Sequence, residues 1–143
     1  MNIMNGGVSA PKGFSSGGVH CGIRKNRSKL DLGLIYSQVP CTTAAVYTTN
    51  KVKAAPIFVT KENIANGISQ AVIVNSGNAN ACAPNGLENA KKMCRLAADA
   101  LGISEKDVVV ASTGVIGVEL DVSPIENGMK ALVDDLNANS SEN

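Results

Sequence analysis

Two short apolar segments of this chain are each followed by a glycine-bearing loop and then by a segment with helical periodicity. The first pair is Gln70-Ala-Val-Ile-Val-Asn75 with the loop Asn75-Ser-Gly-Asn-Ala-Asn-Ala-Cys82, and the second is Asp107-Val-Val-Val-Ala-Ser112 with the loop Ser112-Thr-Gly-Val-Ile-Gly117. Short apolar runs with polar ends are typical of buried strands, and loops that leave such strands often carry binding and catalytic groups. Glycines there let a ligand approach the backbone closely. We therefore predict two strand-loop-helix units with a candidate site in their loops.

The two predicted helices differ in how they begin and end. From Leu87 to Leu101 the apolar residues recur at helical spacing, and Gly102 is expected to end the helix. The last helix is expected to start with the capping box Ser123-Pro-Ile-Glu126. The residues predicted to share a buried face are Leu87, Ala90, Cys94, Ala97 and Leu101 in the first helix, and Ile125, Met129, Leu132, Val133 and Leu136 in the second.

The first half of the chain is expected to be richer in strands. Residues 1–19 read as an arm with one short strand, and Lys61 to Ile68 as a short helix broken at Gly67. Further strands are predicted at Leu30 to Tyr36, Ala44 to Thr48 and Pro56 to Thr60. This order indicates an α/β or α+β fold, and periodicity does not choose between them. The length fits one domain over residues 1–143, with a polar tail at 137–143 that is expected to fray.

Composition excludes several classes of function. The net charge is +1, and the one cation-rich stretch, Arg24-Lys-Asn-Arg-Ser-Lys29, is interpreted as a solvated turn, so no nucleic-acid partner is expected. Aromatic residues make up 3% of the chain with no Trp, which predicts an aliphatic core. Neither a secretory signal nor an apolar stretch of the roughly 20 residues that span a bilayer is present, so we expect a cytoplasmic protein without a membrane partner. The four cysteines, Cys21, Cys41, Cys82 and Cys94, are then expected to be buried small hydrophobes.

The second loop contains the candidate catalytic residues. The Thr113 hydroxyl and the Gly114 N–H are two hydrogen-bond donors from adjacent residues, which is what an oxyanion hole requires. The loop lacks the lysine and the spacing of a phosphate-binding loop. The alternative is a strand-to-helix turn whose glycines are only structural, and the residues alone leave both interpretations open.

The first loop supplies candidate substrate-binding residues, Asn75 and Asn78, although an Asn-rich turn needs no ligand. We favour a structural role for them near the site. Cys82 is not expected to be a nucleophile, because the one histidine of the chain, His20, is far away in sequence. His20 and Cys21 are not a metal-ligand set, so no metal is expected and His20 is predicted to be partly buried.

Six strings that occur in order give the chain a family resemblance. They are Ser9-Ala-Pro-Lys-Gly-Phe14, Asp31-Leu-Gly-Leu-Ile35, Thr48-Thr-Asn50, Ala54-Ala-Pro56, Asn75-Ser-Gly-Asn-Ala-Asn-Ala-Cys82 and Ser112-Thr-Gly-Val-Ile-Gly117. Together, from about Val8 to Leu136, they resemble the N-terminal α part of the glutamate N-acetyltransferases of arginine biosynthesis, also called ornithine acetyltransferases. The resemblance implies a layered α/β sandwich of which this chain forms about half. It also implies a partner β chain, cut from the same precursor by self-cleavage, in a heterotetramer or larger assembly.

The resemblance also implies a reaction. In the family, a threonine at the new N-terminus of the β chain takes the acetyl group of N-acetylornithine and passes it to glutamate by a ping-pong route, and some members also use acetyl-CoA. Thr113 and Gly114 match the pair that stabilises the oxyanion, and no metal or bound cofactor is implied. The family's Ala-Thr-Met-Leu-Ala-like cleavage motif is not in this sequence, so the chain by itself is expected to be inactive. The alternatives are a related self-processing amidohydrolase or aminopeptidase, and a non-catalytic amino-acid-binding module.

Overall fold

The computed structural model describes residues 7–138, which form four strands and three helices. In chain order the regular elements are β1 (Phe14–Val19), β2 (Leu32–Thr42), α1 (Ala55–Asn63), β3 (Ile68–Asn78), α2 (Gly86–Leu101), β4 (Val108–Val115) and α3 (Ser123–Asp134). Short 3₁₀ turns at Ile64–Asn66 and Glu105–Asp107 precede β3 and β4. The fold is therefore mixed α/β, as predicted.

The four strands form one sheet in the order β1-β2-β3-β4. The β1–β2 and β2–β3 pairs are antiparallel, whereas β3 and β4 are parallel and are joined through α2. Parallel neighbours require such a crossover, and their carboxyl ends lie at the same edge of the sheet. The two glycine-bearing loops predicted from the sequence consequently leave the sheet side by side.

One face of the sheet packs against the helices and forms the core. Leu34 of β2, Ile73 of β3 and Val108 of β4 are at most 1% exposed. They belong to one apolar cluster that includes Met93 of α2 and Ile125 of α3. No aromatic side chain is fully buried in the described part of the chain, so the predicted aliphatic core is confirmed there.

Helix α2 closely follows its sequence prediction. The side chains of Ala90, Cys94 and Ala97 are buried, and Gly102 ends the helix in the left-handed conformation with φ 69°. Its N–H donates to the carbonyl oxygen of Ala98, which satisfies a free acceptor of the last turn. The prediction that Leu87 lies on the buried face is wrong, because Leu87 lies in the first turn and is 53% exposed.

Helix α3 begins differently from the prediction. Its face is correct, with Ile125, Met129 and Leu132 buried, but no side-chain cap is formed. Ser123 is already helical and donates its N–H to the Asp121 carboxylate at 2.9 Å. The predicted capping box is therefore wrong: the Asp121 carboxylate, and not the Ser123 hydroxyl, accepts an N–H of the first turn.

The predicted strand at Pro56 to Thr60 is wrong, because these residues lie in helix α1. Proline is tolerated in a first helical turn, where its missing N–H has no intrahelical partner. Thr60 is buried against β4 and exchanges two hydrogen bonds with the Val110 backbone, at 3.0 and 3.1 Å. Packing on the sheet thus outweighs the strand preference of Ile57, Phe58 and Val59.

The segment before α1 also differs from its prediction. Residues 44–48 are not a strand, and Val46 is 99% exposed. The predicted helix at Lys61 to Ile68 is the last turn of α1 followed by the 3₁₀ turn, and Gly67 does break it, with φ 76°. The predicted strand at Leu30 to Tyr36 is confirmed as β2, although it starts at Leu32.

The end of the described chain is attached to the sheet. Asn137 and Ser16 exchange two backbone hydrogen bonds of 3.1 Å, so the first residue of the predicted tail pairs with β1, and fraying of the tail stays a prediction. The rest of the predicted tail, from residue 139 on, lies outside the described residues. None of the helices described is long and apolar enough to cross a membrane.

Candidate functional site at the ends of β3 and β4

The carboxyl ends of β3 and β4 bring the two predicted loops together. Ser76 is the register partner of Thr113, and Gly77 is the register partner of Gly114. Beyond this point a bulge lets Asn78 pair with both Thr113 and Val115. Thr113 and Gly114 are exposed, whereas Val108 and Val110 earlier in β4 are buried in the core. The candidate catalytic pair therefore sits on rigid backbone at an open edge of the sheet.

The backbone at Gly114 can be occupied only by glycine. Its φ is +136°, a value that L-residues rarely adopt. A Cβ at this position would lie 2.3 Å from the Gly77 carbonyl carbon and 2.5 Å from the Asn78 nitrogen. Close approach of the two strands thus gives Gly114 a structural role, whether or not its N–H also binds a ligand.

The asparagines of the first loop hold the loop in place. Asn75 is fully buried and donates from Nδ2 to the Asn78 carbonyl oxygen at 2.9 Å. The Asn78 side chain donates to the carbonyl oxygens of Val118 and Glu119, at 3.0 and 3.3 Å, and accepts the Asn80 N–H at 2.7 Å. These bonds fix the first loop and tie it to the segment that directly follows the second loop, which fits the structural role favoured for Asn75 and Asn78. Their contact with a substrate stays a prediction.

Three exposed apolar side chains follow the Thr113–Gly114 pair in the chain and form an apolar rim. Val115, Ile116 and Val118 are 58%, 65% and 55% exposed, which is high for such side chains. The rim is anchored by backbone hydrogen bonds from Ala79 N–H to the Val115 carbonyl and from Gly117 N–H to the Ala81 carbonyl, at 2.9 and 2.8 Å. The loop is therefore well fixed although it is exposed.

A contact that the sequence did not reveal joins Arg24 to this edge. The Arg24 guanidinium donates from Nε to the Ser76 hydroxyl at 3.0 Å and from Nη2 to the same oxygen. The cation-rich stretch was interpreted as a solvated turn, which is correct for the exposed Arg27 but not for Arg24. No local pattern could indicate this contact, because Arg24 and Ser76 are 52 residues apart.

Asp31 organises the segment that carries Arg24. Its buried carboxylate accepts the N–H groups of Cys21, Gly22 and Arg24 at 2.7, 3.2 and 2.8 Å. Burial alone would raise the pKa of this carboxyl, but the hydrogen bonds outweigh burial and hold the pKa below its ordinary value. Asp31 is therefore expected to remain ionised inside the fold.

His20 is partly buried, as predicted. Its Nδ1 lies 3.1 Å from both the Lys29 carbonyl oxygen and an Asp31 carboxylate oxygen. Both neighbours are acceptors, so the contacts favour the tautomer that carries its hydrogen on Nδ1. Within residues 7–138 there is no group of three or more His, Cys, Asp or Glu side chains that could hold a metal ion.

The cysteines do not share one environment, which corrects the expectation that all four are buried. Cys94 is buried, Cys21 and Cys41 are half-buried, and Cys82 is exposed. Cys82 has a positive φ of 56° in the Asn-rich loop, and this turn carries its side chain out of the core. Burial, followed by the neighbouring Asp31, raises the pKa of Cys21 to about 11.

Comparison with known proteins decides the family. The family model described as ArgJ family matches residues 15–143. The chain belongs to the ArgJ family. The resemblance to the acetyltransferases of arginine biosynthesis is thereby confirmed at the level of the family.

Individual ArgJ proteins cover almost all of the chain. The arginine biosynthesis bifunctional protein ArgJ of Caldanaerobacter subterraneus subsp. tengcongensis is 48% identical over 131 residues, which are 91% of this chain and 32% of that protein. The chain therefore spans about a third of the length of the curated relatives it matches.

Solved ArgJ structures have the same fold. The crystal structure of ArgJ from Bacillus halodurans superposes with a TM-score of 0.89 at 46% identity, covering 96% of this chain and 71% of that one. The ornithine acetyltransferase of Mycobacterium tuberculosis, solved as a complex with ornithine, gives a TM-score of 0.87 at 36% identity, covering 95% and 74%. The mixed sheet with its helices is thus the fold of ArgJ proteins.

Proposed function

We propose that this ArgJ chain is the α part of a cytoplasmic glutamate N-acetyltransferase, in which it supplies the oxyanion hole. The observation that carries the proposal is the exposed Thr113–Gly114 pair, fixed at the end of β4 by its contact with Gly77. Family membership supports the reaction, since the relatives are named as bifunctional proteins of arginine biosynthesis. The M. tuberculosis relative, solved with ornithine, supports ornithine derivatives as ligands.

The proposed reaction has two half-reactions. A threonine hydroxyl of a partner β chain attacks the acetyl carbonyl of N2-acetylornithine, the C–N bond breaks, and ornithine leaves with the proton that the hydroxyl lost. The amine of glutamate then attacks the acetyl ester, the threonine oxygen regains a proton, and N-acetylglutamate is formed. Acetyl-CoA could replace acetylornithine as the donor in the first half.

Thr113 and Gly114 act at the same point of both half-reactions. Each attack places negative charge on the acetyl oxygen, and in this proposal the Thr113 hydroxyl and the Gly114 N–H donate to that oxygen and stabilise the charge without reorganising. The apolar rim of Val115, Ile116 and Val118 would limit water around the oxygen and so strengthen both hydrogen bonds. Asn75 and Asn78 contribute by holding the loop, and no step of the proposal uses a metal or cofactor.

An open face of the sheet supports the proposed partner chain. The face opposite the helices carries Gly33, Ile35, Val72, Val74 and Val109, which stay half-exposed within residues 7–138. Such a surface on a sheet favours association with another layer. The proposed partner is the β chain of the same precursor, in a heterotetramer or larger assembly. Expressed alone, the chain is then expected to self-associate and to lack activity.

The test is the dependence of product formation on the acceptor. The complete protein that contains this chain is incubated with N-acetylornithine, with and without glutamate, and ornithine and N-acetylglutamate are quantified. We expect ornithine and N-acetylglutamate to form at equal rates, and only when glutamate is present. Ornithine release at the same rate without glutamate would identify an amidohydrolase. Submillimolar binding of ornithine or glutamate to the chain alone, without transfer in the complete protein, would identify a binding module.

A further inference from the structure

The side chains of Arg24 and Ser76 hydrogen-bond to each other and form one unit next to the Thr113–Gly114 pair. Two N–H groups of the Arg24 guanidinium converge on the Ser76 hydroxyl, with Nε at 3.0 Å. The backbones of the two residues are held by the same third residue: Asp31 accepts the Arg24 N–H on its carboxylate and the Ser76 N–H on its carbonyl oxygen, both at 2.8 Å. Main chain and side chain of both residues are therefore fixed together.

This unit touches the oxyanion loop through Gly77. A Cβ on Gly77 would lie 3.0 Å from both Arg24 Cγ and Ile23 Cγ2, so the Arg24 stem packs directly on this glycine. Gly77 is in turn the residue whose carbonyl carbon lies against Gly114. Arg24, Gly77, Gly114 and Val115 also line one open groove. A contiguous path of contacts thus leads from the guanidinium to the proposed oxyanion donor.

We propose that Arg24 is a positioning residue for the oxyanion hole. By clamping Ser76 and covering Gly77, it fixes the end of β3 against which Gly114 is held, and so keeps the Gly114 N–H and the Thr113 hydroxyl in place. Arg24 itself touches no reacting atom. Small displacements of a hydrogen-bond donor are costly in catalysis, because the donor must meet the oxyanion at a fixed distance. This inference rests on the proposed acetyl transfer.

The experiment compares Arg24→Met, which keeps the stem without the donors, with Ser76→Ala, which removes the acceptor and leaves the charge. Both variants of the complete enzyme should lose turnover by on the order of 10–100-fold with little change in KM, because the oxyanion exists only in the transition state. The two half-reactions should slow by similar factors. The double variant should be no slower than the more impaired single variant, because the two side chains act as one unit.

Controls separate positioning from charge and from folding. Arg27→Met removes the same charge from an exposed position of the same segment and should leave kcat unchanged. Arg24→Lys should recover part of the lost turnover, since it can still donate to Ser76. Unfolding temperature and subunit masses establish that each variant is folded and processed. If Arg24→Met does not fold, the turnover of the milder Ser76→Ala variant tests the positioning role.

Several results would overturn the inference. Turnover within two-fold of wild type in folded Ser76→Ala would do so, as would additive losses in the double variant, because these would mean that Arg24 and Ser76 act independently. A raised KM with normal kcat in Arg24→Met would mean that Arg24 binds substrate directly. Absence of acetyl transfer in the wild-type enzyme would instead refute the proposed function, so the two failures are distinguishable.

Discussion

Gly77 and Gly114 lie opposite each other at the carboxyl ends of β3 and β4; Gly114 has no room for a side chain, and a side chain at Gly77 would be tightly crowded. At Gly114 a Cβ would meet the Gly77 carbonyl carbon at 2.3 Å, whereas at Gly77 it would meet Ile23 and Arg24 at 3.0 Å. Both residues have positive φ, +118° and +136°. The close approach of these strands brings the Asn-rich loop and the Thr113–Gly114 pair into one site.

Replacing Gly114 by alanine should destabilise the protein far more than the same change at Gly102. Both glycines have positive φ, but nothing lies within 4 Å of a Cβ at Gly102. Gly102→Ala should cost about 1 kcal/mol for backbone strain alone, and Gly114→Ala about 3–5 kcal/mol because strain and overpacking add. Urea unfolding of the complete protein measures the free energy of unfolding of both variants. Equal losses in the two variants would contradict the prediction, because they would mean that β3 and β4 move apart easily to admit a side chain at Gly114.

Removing the Thr113 hydroxyl should lower turnover without a comparable loss of affinity. We expect Thr113→Ala and the isosteric Thr113→Val to reduce kcat by about 10²–10³-fold, because the donor matters mainly in the transition state. Thr113→Ser, which keeps the hydroxyl, should retain far more activity than either. The measurement is kcat and KM for each variant, with subunit cleavage confirmed by mass. Normal turnover in Thr113→Val, or a loss of affinity alone, would mean that Thr113 does not stabilise the oxyanion and that the loop is only a structural turn.

Truncating Asn78 should lower stability before it changes substrate affinity. Asn78→Ala leaves the carbonyl oxygens of Val118 and Glu119 and the N–H of Asn80 without their side-chain partner, so we expect a cost of about 1–3 kcal/mol. Exposed Asn50→Ala is the control and should change the free energy of unfolding by less than about 0.5 kcal/mol. Chemical denaturation and KM for acetylornithine are measured together. A raised KM at unchanged stability would assign Asn78 to substrate binding instead.

Cys82 and Cys94 should differ in their reactivity toward alkylating reagents, and Cys94 should make the stability of the protein depend on pH in the alkaline range. Burial raises the pKa of Cys94 from 9.0 to about 12, so the thiol stays protonated in the folded state at pH 8. Iodoacetamide should therefore alkylate exposed Cys82 readily and Cys94 only after unfolding. Above pH 9 the Cys94 thiol of the unfolded chain loses its proton, whereas the thiol of the folded chain keeps it. The free energy of unfolding therefore falls as the pH rises to about 12. Cys94→Ala should remove this part of the pH dependence. Rapid labelling of Cys94 in the folded protein would contradict this account.

Replacement of Cys82 distinguishes the proposed chemistry from a cysteine mechanism. Cys82→Ala should leave turnover largely intact, since the side chain is exposed and no step of the proposed reaction uses it. A loss of several orders of magnitude in a folded variant would make Cys82 the nucleophile. Peptide mass mapping after alkylation identifies the modified thiol in both experiments.

Helix α2 and the two loops could be predicted from the sequence because their signals are local. The face of α2 follows from apolar residues at helical spacing, and its end follows from the conformational freedom of Gly102. The Thr113–Gly114 pair was found for the same reason, since it directly follows an apolar run at the end of a strand. Such patterns depend on residues a few positions apart, so they can be recognised before the contacts between distant segments are known.

Tertiary structure decided what depends on residues far apart in the chain. Pro56 to Thr60 became helical because Thr60 bonds to Val110, 50 residues away, and the helix buries Pro56 and Val59. Arg24 became part of the site because the sheet placed Ser76 within reach of its guanidinium. The sequence by itself thus determined the aliphatic core, the strand-loop-helix units and the candidate donor pair. Only the pairing of distant strands decided which glycines must approach each other, because that free energy comes from contacts that exist once the sheet has formed.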